Sequence, residues 1–178
     1  MSIQDLEKTI EKYGRDIFSF CVYLTGDWIM AEELYQDIFV TALEHLEDMR
    51  AEEGIKSYFL SIAVRLWQNK RRKIAWRRRI APMQFYDEDF DRESESENNI
   101  EADILDRYIS GEEQECVRQA VHKLKENLRI PVILYYVNEM TVPQIARILG
   151  IPEGTVKSRL STARKRLKKE LEDSIHDK

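Results

Sequence analysis

Residues 140–171 read MTVPQIARILGIPEGTVKSRLSTARKRLKKEL, and this stretch decides the fold. Thr141 followed by Gln144 three residues on is a capping box, which marks a helix start. Ile145, Ile148 and Leu149 then share one face. Gly150 stands where a helix C-cap needs positive φ. Pro152 suits the start of the next helix, because it fixes φ and lacks an N–H that would have no partner there. Helix, short turn, helix is an arrangement that places its second helix in the major groove of DNA. That second helix turns Val156, Leu160, Ala163, Leu167 and Leu171 inward. Opposite them lie Ser158, Ser161, Thr162, Lys165 and Lys169. Lys157, Arg164 and Lys168 line one flank, and Arg159 and Arg166 the other. Small hydroxyl side chains can approach base edges while long cations reach the phosphate ridges on either side. A surface helix of a small bundle would share the periodicity, but not the cap, the turn, the Gly, the Pro and the cationic flanks together.

Upstream, Val117, Ala120, Val121, Leu124 and Leu128 make one helical face. A second helix runs through Pro131, Ile133, Leu134, Tyr136 and Val137. Further back, residues 81–100 are acidic, polar and poor in aliphatics, which predicts a flexible linker, with a weak helix at 101–109. The chain therefore divides into helical domains at 1–80 and 117–178, joined by an acidic linker at 81–116.

Charge follows these divisions. Residues 1–64 carry 5 basic and 13 acidic side chains, and residues 65–80 carry 8 basic and none acidic. Residues 81–116 carry 2 and 13, and residues 117–178 carry 13 and 7. The net −5 of the 178-residue chain is thus an average over opposites. Two basic blocks apart in sequence suggest two nucleic-acid contacts.

In the N-terminal part, Ile3, Leu6, Ile10, Tyr13, Ile17, Phe20, Cys21 and Leu24 recur at helical steps. Thr25-Gly26-Asp27 ends that helix, and Asp27 can cap the next. The second helix is expected to bury Ala31, Leu34, Tyr35, Ile38, Phe39, Ala42, Leu43 and Leu46. Its other face holds Glu33, Gln36, Asp37, Val40 and Glu44. An apolar Val40 inside an acidic stripe is either a harmless exposed valine or part of a docking face for a basic partner. A third helix begins near Ile55 and points Phe59, Ile62, Ala63 and Leu66 inward. Its outward stripe is Ser61, Arg65, Gln68 and Arg72, flanked by Val64, Trp67, Asn69 and Arg71. Cations and amides interleaved with Tyr58, Trp67 and Trp76 suit phosphate pairing, base stacking and edge reading.

Six Gly and four Pro are too few for an all-β fold, so the class is all-α. No apolar run reaches membrane-span length and the N-terminus is no signal peptide, which predicts a soluble, cytoplasmic protein. His45, His122 and His176 are isolated, Cys21 lies on a core face, and Cys116 stands alone. No phosphate loop or metal spacing occurs. No catalytic residue, metal, cofactor or small-molecule substrate is expected.

These segments together resemble an extracytoplasmic-function (ECF) sigma factor of bacterial RNA polymerase, a group with sigma regions 2 and 4 and no region 3 domain. LTGDWIMAEELYQDIFVTAL resembles regions 2.1–2.2, YFLSIAVRLWQNKRRK regions 2.3–2.4, and LGIPEGTVKSRLSTARKRL region 4.2. The resemblance implies docking of Glu33, Gln36, Asp37 and Val40 on the β′ clamp helices of core polymerase, which also contacts such factors through its β flap. It implies reading and melting of the −10 promoter element by Arg65, Gln68, Asn69, Arg71 and Arg72. A base taken out of the stack costs a few kcal/mol and needs a pocket, supplied in the family by the loop that here is about residues 51–56. It implies reading of the −35 element by Lys157, Ser158, Arg159, Ser161, Thr162 and Lys165. It also implies an anti-sigma factor, in the family often membrane-anchored. Arg65 stands where the family often has Asn, Tyr58 where it often has a buried Trp, and Ser161 and Thr162 near where it often has bulkier or basic residues, which leaves the promoter sequence open. The acidic linker either stays extended by its charge or mimics nucleic acid near the polymerase active-site channel. The competing reading is a stand-alone helix-turn-helix regulator, which has no need of an acidic docking face.

Overall fold

The computed structural model describes residues 3–45, 54–80 and 112–176. The predicted linker at 81–100, the weak helix at 101–109, Leu46 and most of the loop at 51–56 lie outside the described residues. All described elements are helical: α1 (Ile3–Thr25), α2 (Trp28–Glu44), α3 (Ile55–Ile80), α4 (Glu112–His122), α5 (Glu126–Val132) continuing into one π turn (Ile133–Val137), α6 (Val142–Leu149) and α7 (Glu153–His176).

Helices α1, α2 and α3 pack mutually. The α1–α2 corner is built as its sequence requires. Gly26 takes φ +72°, a conformation that Gly adopts without Cβ strain. The Asp27 carboxylate accepts the Met30 N–H at 2.7 Å as the N-cap of α2. The Thr25 hydroxyl donates to the Cys21 carbonyl, closing the end of α1 at 2.9 Å. Ile17, Phe20, Cys21 and Leu24 are fully buried, and burial pushes the Cys21 thiol up to about 12. A line of edge-on aromatic contacts crosses the bundle, from Trp28 through Phe18 and Tyr35 to Phe39. Gly14 allows it, since a Cβ there would stand 2.8 Å from the Tyr35 hydroxyl.

The C-terminal helices pack with α7 against α4, α5 and α6. Inside α5, Pro131 has no N–H to give to the helix ladder. The chain then widens into the π turn, where the Asn138 N–H reaches back to the Ile133 carbonyl at 3.1 Å. The α6 cap forms as predicted, with the Thr141 N–H donating to Gln144 Oε1 at 2.8 Å, and Gly150 adopts φ +63°.

Several core expectations change. Ile10 is 39 % exposed rather than buried. Leu43 is 46 % exposed; it lies one 100° step past Ala42 and so leaves the buried arc for the outer face. Val117, a turn before the buried Ala120 and Val121, is exposed. Tyr136 and Val137, on the second helix of this half, are exposed too, where the π turn breaks the 3.6-residue period. Val64 and Trp67 are each 2 % exposed. They do not flank an open stripe, because α3 is packed on more than one side: by α1 and α2, and also by α6. The buried apolar residues of the two helix groups therefore join into one continuous cluster.

Candidate nucleic-acid and polymerase interfaces

Three helix faces hold the predicted site residues. On α7, Val156, Leu160 and Ala163 are buried. Lys157, Ser158, Thr162 and Lys165 are exposed, and Arg159 and Ser161 are half-buried. The structure thus brings the predicted −35 set onto one accessible face. The Ser158 hydroxyl donates to the Thr155 carbonyl at 2.9 Å, which leaves its lone pairs directed outward to accept.

On α2, Glu33, Gln36, Asp37 and Val40 are all exposed, Val40 at 54 %. Two further members were missed. Ile29 and Leu43 are exposed large apolar residues, and Ile29, Glu33, Gln36, Val40 and Leu43 follow steps of four, three, four and three. These steps are those of a coiled-coil seam, with three of its five positions apolar. Glu32, Glu33, Asp37 and Glu44 flank it with negative charge. The spacing was readable in the sequence; assigning Leu43 to the core concealed it. Glu33 also ties α2 to α3, since its carboxylate accepts from Lys70 Nζ at 2.9 Å.

On α3 the predicted set divides. Arg72 and Asn69 bond each other. They line a cleft of about 670 Å³ between α2 and α3 with Asp37, Lys70, Lys73 and the 63 %-exposed Trp76. Arg65 and Gln68 line a second cleft, of about 490 Å³, with Tyr58 and Ser61. Its opposite wall is the end of α6: Arg147, Ile148, Leu149 and Gly150. Arg71 pairs with Glu126 of α5 at 3.3 Å and stands over the Trp67 ring. Of the three aromatics read as interleaved, only Trp76 is open to stacking; Tyr58 is half-buried and Trp67 is core.

Among the described residues no cluster of three or more His, Cys, Asp or Glu side chains is placed to hold a metal ion. No described helix is long and apolar enough to cross a membrane.

Comparison with known proteins identifies the family. Residues 9–78 match the family described as Sigma-70 region 2, and residues 114–167 match Sigma-70, region 4. The RNA polymerase sigma factor YlaC of Bacillus subtilis is 30 % identical over 174 residues, covering 97 % of this chain and 94 % of its own length. The chain belongs to the sigma-70 family, as an RNA polymerase sigma factor of the ECF type. The ECF RNA polymerase sigma factor SigW of Bacillus subtilis is 26 % identical over 169 residues, covering 92 % of this chain and 87 % of that protein. Among solved structures, the sigma factor RpoE in complex with the anti-sigma factor NepR from Bartonella quintana superposes with a TM-score of 0.78 at 22 % identity. That alignment covers 96 % of this sigma factor and 98 % of RpoE, so the helical fold of the described residues is shared.

Proposed function

We propose a division of labour among the three faces of this sigma factor. The α2 seam docks on the β′ clamp helices of core polymerase, Ile29, Val40 and Leu43 supplying apolar contact and the flanking acids meeting a basic partner. On α3, Arg65, Gln68, Asn69, Arg71 and Arg72 hold the −10 element as an opened strand. On α7, Lys157, Ser158, Arg159, Ser161, Thr162 and Lys165 read the −35 element as duplex. Residues 1–80 and 117–178 act as separate region 2 and region 4 units, the latter also meeting the β flap, and the factor works in the cytoplasm. An anti-sigma partner is part of this reading, supported by the structural neighbour RpoE, seen in complex with the anti-sigma factor NepR.

The observation that carries the proposal is the exposed apolar seam on α2. A regulator acting alone on duplex DNA has no use for it, whereas a polymerase subunit needs a surface that supplies binding energy. Permanganate footprinting of open complexes tests the strand assignment. Holoenzyme carrying Arg65→Ala and Gln68→Ala should bind promoter DNA through α7 yet leave −10 thymines unreactive. Full reactivity in that variant would remove the −10 role from these residues.

A further inference from the structure

Helix α3 outruns its neighbour, with 26 residues against 17 in α2. At 100° per residue, Ile62, Leu66, Trp76 and Ile80 fall within about 80° of one another. Ile62 is buried and Leu66 half-buried, whereas Trp76 and Ile80 are 63 % and 61 % exposed. The apolar stripe of α3 thus runs on past the helices that cover it. The cleft between α2 and α3 opens where that cover ends. Met30, Leu34 and Leu66 line it with apolar surface, and Trp76 stands at its side. Its volume of about 670 Å³ lies in the usual range of small-ligand pockets, about 300–1,000 Å³. All the described residues that line it belong to α2 and α3, so it is open in the free chain.

Three features define what would fit there. Trp76 offers an open indole face, on which any base can stack. Lys70, Arg72 and Lys73 line the cleft against one carboxylate, Asp37, which calls for an anion. Arg72 donates to Asn69 Oδ1; a guanidinium only donates, so the amide oxygen faces it and the two Nδ2 hydrogens are left for a base edge. A protein partner fits less well. The acids that flank the α2 seam call for a basic partner, and a basic surface carried on across this cleft would meet like charge. We infer that the cleft is a nucleotide site: a base stacks on Trp76, Asn69 meets its edge, and Lys70, Arg72 and Lys73 take its phosphates. The same chemistry has two sources, a nucleotide within an opened strand or one free in solution. The first rests on the assignment of α3 to the −10 strand; the second does not.

The test uses the full chain and three probes: a single-stranded deoxyadenosine hexamer, an abasic hexamer with the same phosphates, and ATP. Stacking is read by quenching of tryptophan emission, to which Trp76 answers as the exposed one of three. Affinity is read by anisotropy of the labelled hexamers, and ATP by displacement. The deoxyadenosine hexamer should quench and should bind more tightly than the abasic one. Trp76→Ala should weaken its binding about 5- to 150-fold, the loss of one stacked base, and Trp76→Phe should stay within about threefold of the unaltered chain. Displacement by ATP would assign the cleft to free nucleotides, and quenching that ATP does not reverse would assign it to an opened strand; either supports the site. Equal affinity for the two hexamers, or deoxyadenosine binding unchanged in Trp76→Ala, overturns it. So does a Trp76→Ala chain that loses core-polymerase affinity but keeps the hexamer, since the cleft then belongs to a protein partner. Should Trp76→Ala fail to fold, the comparison of the two hexamers on the unaltered chain decides. An unaltered permanganate pattern in Arg65→Ala/Gln68→Ala would instead refute the strand assignment of α3, while base-dependent quenching would still report the cleft.

Discussion

Replacing Val40 with Asp should separate binding from folding. Val40 is 54 % exposed and lies at the centre of the α2 seam. Fully burying a valine side chain is worth about 1.5–3 kcal/mol. Roughly half of that surface remains to be covered by a partner, so truncating the apolar contact loses about 0.8–1.6 kcal/mol. The new carboxylate must also be desolvated at an interface with no provision for it, at about 1–3 kcal/mol. The total, about 1.8–4.6 kcal/mol, corresponds to a core-polymerase Kd about 20- to 2,000-fold weaker. Folding should be nearly indifferent, because exposed substitutions change stability by about 0.5 kcal/mol or less and Val and Asp differ little in helix propensity. Anisotropy titration of labelled sigma factor with core polymerase, beside a thermal melt, measures both quantities. Ile29→Asp should behave alike, while Val40→Leu should bind normally. An unchanged Kd for Val40→Asp with an intact melt would refute the seam. A collapsed melt would show that Val40 is held more firmly in the fold than its exposure implies.

Arg159→Ala should weaken −35-dependent transcription by about 1–3 kcal/mol, read as initiation rates on promoters with and without that element; equal losses on both would place Arg159 elsewhere. Ile145→Ala, at a fully buried position of α6, should cost about 2–5 kcal/mol of stability in chemical denaturation, and a loss below 1 kcal/mol, roughly, would mean the site collapses around the gap. The packing of His122 against the α1–α2 corner should respond to acid. Its burial first, then the Arg129 and Arg118 charges, hold the imidazole below its ordinary range, against a hydrogen bond to the Thr25 backbone that raises it. Separated halves would return it toward about 6.5. The contribution of neutral His122 to that packing is therefore complete above that value and is lost as pH falls below it toward the lowered one. Scattering at pH 8 and pH 5.5 should show expansion in the unaltered chain and less in His122→Gln; equal expansion in both would clear His122 of the effect.

The C-terminal helix-turn-helix was legible almost residue by residue, because its signals are local. The Gln144 cap, the αL Gly150 and the hydroxyl-and-cation face of α7 each depend on neighbours a few positions away. The faces of α1 and α2 were legible from periodicity except at edges, where one step of 100° separates core from seam, as at Leu43. The burial of Trp67 was not legible, because it depends on contacts of α3 with helices distant in sequence. Nor was the exposure of Tyr136, since no simple pattern announces a π turn. Most of all, the seating of the C-terminal helices against α1 and α3 was hidden. It rests on single contacts between residues such as Asp16 and Asn138, more than a hundred positions apart, which no periodicity encodes.

This chain should give core polymerase a promoter preference it lacks alone. Start-site mapping with purified core polymerase on genomic fragments, with and without the chain, tests it directly. New starts are expected, each downstream of one shared pair of elements near −35 and −10, lost with Val40→Asp and recovered with Val40→Leu. Starts unchanged by adding the chain would contradict it, as would tight binding of the free chain to those same promoters at physiological salt.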